Sequence, residues 1–304
     1  MLYPDFNDLI SYKERKLHKL QLARRKVSTT APGNHHSPFR GQGLDFDAVR
    51  AYVPGDDIRN IDWRVTARTG SPHLKLFKEE KERHTLICVD RNAAMSFGTR
   101  NTFKSVQAAR CASLLGWRAL AHQDRISACF FGDVARGLQY FASKRTRQAL
   151  SMMLKTLTEP PIEQHRVSLE TVLQHISRVA HPGSLIYLIS DFLDLSPAFL
   201  KESGLSRLNQ SCDVVFISIN DAADQALIPA GIIGFCGAEK VFVNTDSMKG
   251  RASYAAQWEE NRKMLYTLTE HFKIPLITLS TESDVHRDLL LGLKNIAKRK
   301  KCLL

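Results

Sequence analysis

Three aspartates at strand ends carry most of the chemistry available to this sequence. Asp90 closes the apolar run Leu86-Ile87-Cys88-Val89, Asp191 follows Leu185 to Ser190, and Asp221 follows Val214 to Asn220. A carboxylate just past a buried strand and ahead of a crossover helix lies where open α/β sheets bind their ligands. With Asn92, Ser168 and Asp194, the first two could offer oxygens to a hard divalent cation such as Mg²⁺, which asks for near-octahedral geometry. Charged donors are few, since Ala94 supplies no ligand and Asn92 a single neutral carbonyl. The competing use is structural, with Asp90 and Asp191 accepting hydrogen bonds from loop amides and helix N-termini.

A metal-dependent nuclease or phosphatase would employ the same aspartates. Phosphatases that form an aspartyl-phosphate need a second carboxylate two residues after the nucleophile, and that position is Asn92. No Walker A loop, G-x-S-x-G elbow or H-E-x-x-H occurs. Gly41-Gln42-Gly43 follows a polar stretch instead of a strand and has Phe46 at the third glycine position, and His35-His36 lacks ligand spacing. The expectation is a protein without catalytic residues, with no cofactor beyond weakly held Mg²⁺.

A second concentration of chemistry runs from Arg50 to Arg68. Asp56, Asp57 and Asp62 alternate there with Arg50, Arg59, Arg64 and Arg68, and Tyr52 and Trp63 lie among them. Arginine forks interleaved with carboxylates can close an internal ion-pair lattice. The same residue types also make recognition surfaces, where Arg, Tyr and Trp are favoured.

Strands and helices that alternate after residue 84 must position the aspartates. Helical patterns span Thr102 to Gln123, Thr146 to Leu157, Leu169 to Val179, Pro197 to Leu208, Ala252 to Phe272 and Val285 to Lys298. Between them lie apolar strands at 126–131, 185–189, 214–219 and 276–279, an extended piece near 138–141 and a glycine-bounded hairpin at 231–243. Such alternation predicts a mostly parallel sheet covered on both faces, and right-handed crossovers gather Asp90, Asp191 and Asp221 on one edge. Upstream, Asp5 to Lys26 reads as an amphipathic helix with Phe6, Leu9, Ile10, Leu17 and Leu20 on its apolar side, and Ser28 to Gly43 as a linker. The predicted organisation is therefore a helix and linker at 1–40, a small β-rich module at 41–84 and the α/β domain at 85–304.

Composition bounds the rest. In 304 residues the apolar share is 43% and the charged share 24%, ordinary for a globular protein. No run reaches the ~20 apolar residues that span a bilayer, and no signal-peptide core opens the chain, so a cytoplasmic location is expected. The six cysteines are scattered without a C-x-x-C pair, which points to neither disulfides nor zinc. Net charge is +12, with seven basic residues between Lys13 and Lys26 and four more at Lys298 to Lys301. Such runs attract polyanions, which makes nucleic acid or an anionic membrane surface, contacted but not spanned, an alternative class of partner, while the favoured reading is a solvated helix face and a frayed tail. No zinc-finger, ribonucleoprotein or helix-turn-helix pattern accompanies the charge, and nucleic acid is the less expected of the two.

The stretch GQGLDFDAVRAYVPGDDIRNIDWRVTARTG, followed by VDRNAAMSFG, resembles the domain of unknown function fifty-eight (DUF) family. The match rests on Gly41, Gly43, Phe46, Arg50, Tyr52, Gly55, Asp56, Arg59, Ile61, Asp62, Trp63, Ala67 and Arg68, with LISDFLD at 188–194 and Pro229-Ala230-Gly231 further on. The resemblance implies a Rossmann-like von Willebrand factor A-type sheet, doubly wound and mostly parallel, with a metal-ion-dependent adhesion site at its carboxyl edge. In that site D-x-S-x-S, a later Thr and a later Asp hold Mg²⁺. Asp90 and Asp191 match, Ser168 stands for the Thr, and Asn92 and Ala94 replace the two serines, which implies a degenerate site. The resemblance also implies a MoxR-type AAA+ ATPase as partner, acting in assembly or activation of an unknown client protein. On that reading Arg91, Met95, Phe192 and Asp194 form the centre of the partner-facing edge.

Overall fold

Asp5 caps the first helix, α1 (Phe6–Ser11), its carboxylate accepting from the Asp8 amide at 3.0 Å. A 3₁₀ turn at Tyr12–Glu14 follows. The computed structural model describes residues 3–15, 32–41, 45–81, 83–132, 137–160, 167–195, 204–236 and 240–301. The helix expected over Asp5 to Lys26 is thus a single short α-helix and a turn up to Glu14, and the remainder of that expectation lies outside the described residues.

Strands β1 (Pro32–Gly41), β2 (Asp45–Ala51) and β3 (His73–Lys81) form an antiparallel sheet in the order β1-β3-β2. The linker expected over Ser28 to Gly43 is corrected at 32–41, where the chain pairs with β3, so the small sheet includes these residues ahead of Gly41. A polar segment rich in Gly and Pro suits an edge strand, because one side of its backbone needs no partner, and two register shifts accommodate it. Between β2 and β3 lie a 3₁₀ turn (Ile58–Asn60) and helix α2 (Trp63–Thr69).

Strand β4 (His84–Arg91) starts the main sheet directly after this module. It pairs in parallel with β5 (Arg125–Gly132) on one side and β7 (Leu185–Ser190) on the other. The antiparallel edge strand β6 (Leu138–Lys144) completes one end. Strands β8 (Asp213–Asn220) and β11 (Leu276–Ser280) extend the other in parallel, giving the six-stranded order β11-β8-β7-β4-β5-β6. Ile87 and Val89 of β4 face one core layer, Leu86 and Cys88 the other, so its unbroken apolar run follows from burial on both faces. One face carries α1, α3 (Lys104–Ala121), α4 (Arg147–Thr158) and α9 (Val285–Lys301). The opposite face carries α5 (Leu169–Val179), α6 (Leu205–Ser211) and α8 (Met248–His271). A single turn of helix, α7 (Ala222–Gln225), follows β8, and the expected hairpin is β9 (Ile232–Cys236) with β10 (Lys240–Asn244). Of the helix expected over 197–208, residues 196–203 lie outside the described residues, and α6 accounts for the rest.

At the amino edge of the sheet, Arg83 donates to Asp213 at 2.8 Å with both side chains buried, and Thr85 Oγ1 donates to Asp124 at 3.1 Å. These contacts fix the point where the module's last strand enters the domain. The module therefore joins the sheet at the edge opposite Asp90. No described helix is long and apolar enough to cross a membrane.

Candidate functional site at the carboxyl edge

Parallel pairing of β4, β7 and β8 brings the strand-end aspartates to one edge, as their spacing predicts. Asp90 is buried. Its Oδ1 accepts from the Asn92 amide at 2.8 Å and its Oδ2 from Ser190 Oγ at 2.5 Å. Ser190 Oγ in turn accepts from the Phe192 amide at 3.1 Å. Burial pushes the Asp90 carboxyl up to about 7, with the charge of Asp191 adding to it and the bonds from Ser190 and Asn92 opposing it. Gly132, at the end of β5, allows the Asp90 loop its close approach. With φ of 98°, a Cβ there would fall 2.4 Å from the Asn92 nitrogen.

Asn92, Ser168 and Asp221 are engaged as well. Asn92 donates Nδ2 to the Val167 carbonyl at 3.2 Å and accepts from the Val167 amide at 3.1 Å, clamping the segment ahead of α5. Ser168 is the N-cap of α5 and accepts from the Thr171 amide. Asp221 accepts from the Thr99 amide and hydroxyl, the Thr281 hydroxyl and the Ala223 amide. Burial raises its carboxyl, but these bonds together outweigh burial and hold it below the usual carboxylate range.

The decisive residue of this edge is one that motif reading passes over. Lys104, first residue of α3 and 1% exposed, places Nζ 2.8 Å from Asp191 Oδ2 and 3.3 Å from Asp224. Its ammonium also stands 5.6 Å from the centre of the Phe97 ring. Burial and the positive end of the helix both disfavour a cation here. Burial lowers the Lys104 ammonium's pKa, yet Asp191 and Asp224 outweigh it and hold the group above the ordinary lysine range. Asp224 is itself fixed by a capping box with Asp221. A lone lysine at a helix start carries no motif, so only its position in space gives it meaning.

Two residues assigned to the partner-facing edge do not face outward. Met95 is 0% exposed, and Phe192 is 1% exposed with its ring stacked on Phe216 at 4.9 Å. Both are drawn into the core because their apolar surface finds partners there. Phe192 holds a left-handed backbone at φ 57°, which turns its side chain under the loop. Asp194 is exposed, while Arg91 reaches to the α4 terminus, donating to the carbonyls of Thr156 and Glu159.

Among the described residues, the Arg50 to Arg68 block does not close into a lattice. Arg50 pairs with Asp56 at 2.6 Å, but the other acids serve the backbone: Asp57 caps the 3₁₀ turn and Asp62 caps α2. Tyr52 is half-buried, while Arg59, Arg64 and Arg68 are exposed, and Trp63 is 70% exposed.

This architecture is a doubly wound α/β fold on a mostly parallel six-stranded sheet, with a small antiparallel module ahead of its first strand. The chain belongs to the family described as protein of unknown function DUF58, whose model matches residues 48–264. It is 26% identical over 271 residues to uncharacterized proteins of Mycobacterium bovis (Mb1516) and Mycobacterium tuberculosis (Rv1480), covering 88% of this chain and 84% of theirs. Among solved structures it is similar to BatB from Bacteroides thetaiotaomicron, with 11% identity, a TM-score of 0.44 and coverage of 71% of this chain and 99% of that one. Proximal thread matrix protein 1 of the mussel byssus aligns with 12% identity and a TM-score of 0.38, over 71% of this chain and 46% of that one.

Proposed function

We propose that this chain is a non-enzymatic adaptor that binds other proteins, with a MoxR-type AAA+ ATPase as partner in the assembly or activation of a client. The observation that carries the reading is the exposed turn and helix of the small module. Trp63 at 70%, Ile58 at 65% and Val53 at 55% exposure share that segment with the exposed Arg59, Arg64 and Arg68. Large apolar groups left in water beside arginines are the composition of an interface centre, and the surrounding charge selects an acidic protein surface. The carboxyl edge supports the non-enzymatic side of the reading. Among the described residues, the carboxylates of Asp90, Asp191 and Asp224 are engaged by Ser190, Lys104 and backbone amides, the use expected of structural rather than catalytic acids.

Affinity capture from lysate with the intact chain, with and without ATP, tests this. Trp63→Ala and the charge reversal Arg59→Glu/Arg68→Glu should each lower recovery of an AAA+ ATPase at least tenfold. Capture without ATPase enrichment, or recovery indifferent to these variants, would sink the proposal. Steeply salt-dependent retention on DNA or anionic vesicles, lost in the same variants, would instead favour the polyanion-binding reading.

A further inference from the structure

We propose that the Lys104 ammonium is the permanent cation of the carboxylate cluster formed by Asp191 and Asp224 beside Asp90, so that this edge is assembled without a divalent ion. The inference is independent of the adaptor reading and concerns what holds the edge together. It also sets the structure against the metal-ion-dependent adhesion site that the family resemblance implies.

Three observations converge. Lys104 Nζ is within 2.8 Å of Asp191 and 3.3 Å of Asp224, and the whole side chain is buried, so the ammonium cannot leave without stranding two acids. Of the oxygens that an ion would need, both of Asp90, the carboxamide of Asn92 and the hydroxyl of Ser168 already bond to protein groups. Finally, an ion bound to the same face of Asp191 would sit against a fixed positive charge in a dry site, where repulsion is little screened. The donor set does not fit Mg²⁺, and the misfit has a positive cause in Lys104 as well as the missing serines at positions 92 and 94.

Which of these two causes governs is decided by substitution. Mn²⁺ binding to the intact chain is measured by electron paramagnetic resonance for wild type, for Asn92→Ser/Ala94→Ser, and for that pair combined with Lys104→Ala. Wild type and the serine pair should bind no Mn²⁺ at millimolar concentration, whereas removal of the lysine should create a site that Asp191→Asn abolishes. Should the triple variant fail to fold, the ¹⁵Nζ resonance of wild-type Lys104 tests directly whether the ammonium yields its place to a divalent ion. A protected ammonium signal, absent in Lys104→Arg and unmoved by 10-fold excess Mg²⁺, is the result expected. Wild type or the serine pair binding Mn²⁺ with Lys104 in place, a folded triple variant that binds none, or a Lys104 signal displaced by Mg²⁺ would overturn the proposal.

Discussion

Ser190 Oγ donates to Asp90 Oδ2 at 2.5 Å, joining the ends of two adjacent parallel strands through one hydroxyl. Both residues are buried, so the bond replaces hydration that the carboxyl has lost. Ser190→Ala should destabilise the fold by about 1–3 kcal/mol, the range for a buried acceptor left short of a donor. Urea unfolding at neutral pH measures it, and an unchanged midpoint would show the bond to be dispensable.

The raised Asp90 carboxyl gives stability a definite pH dependence. From about pH 4, where an unfolded aspartate ionises, up to about 7, the folded chain keeps a proton that the unfolded chain has released. Stability therefore falls as pH rises across that window. Asp90→Asn should flatten this part of the profile, read as urea midpoints at pH 5 and pH 8. A decline of equal slope in the variant would assign the effect to another group.

Asp221 acts with the opposite sign and in a lower window. Its folded carboxyl lies below the unfolded range, so the stabilisation it gives is present above about pH 4 and is lost as pH falls through its folded pKa. Asp221→Ala should cost about 2–4 kcal/mol near neutrality, since the buried Thr281 hydroxyl and its neighbours lose their acceptor. The penalty should shrink in acid, where wild type loses the same charge.

At the other edge, Arg83 and Asp213 form a buried pair at 2.8 Å. Removing one partner, as in Asp213→Ala, should cost about 3–5 kcal/mol because the guanidinium is left uncompensated. Replacing both with apolar residues should cost less than either single change. A double-mutant cycle by chemical denaturation checks this, and additive single effects would mean the pair is uncoupled.

Trp63→Ala provides the contrast that separates binding from folding. With the ring 70% exposed, its loss should leave stability within about 0.5 kcal/mol of wild type. A large fall in thermal stability would make Trp63 a structural residue and remove the basis of the proposed interface.

The strands were legible because Leu86 to Val89, Leu185 to Ile189 and Val214 to Ile219 are apolar runs too short for helices and too continuous for a half-buried surface. Burial on both faces of a parallel sheet is what such runs satisfy, and their order then placed Asp90 and Asp191 together. The strand at Pro32–Gly41 was hidden because its backbone bonds to β3 whatever side chains it bears. Outward placement of Met95 and Phe192 failed for a related reason: residues at a loop turn either way, and φ at Phe192 decided the direction.

By its own pattern the sequence determined the layered α/β architecture, the shared edge for the aspartates and the family motif, since periodicity and strand-end position are local properties of the chain. Tertiary structure alone decided which charges meet. Asp191 and Lys104 are separated by 87 residues, and Asp224 and Lys104 by 120. No spacing rule connects them, and they are brought into contact because β7, β8 and the start of α3 end at one rim of the sheet.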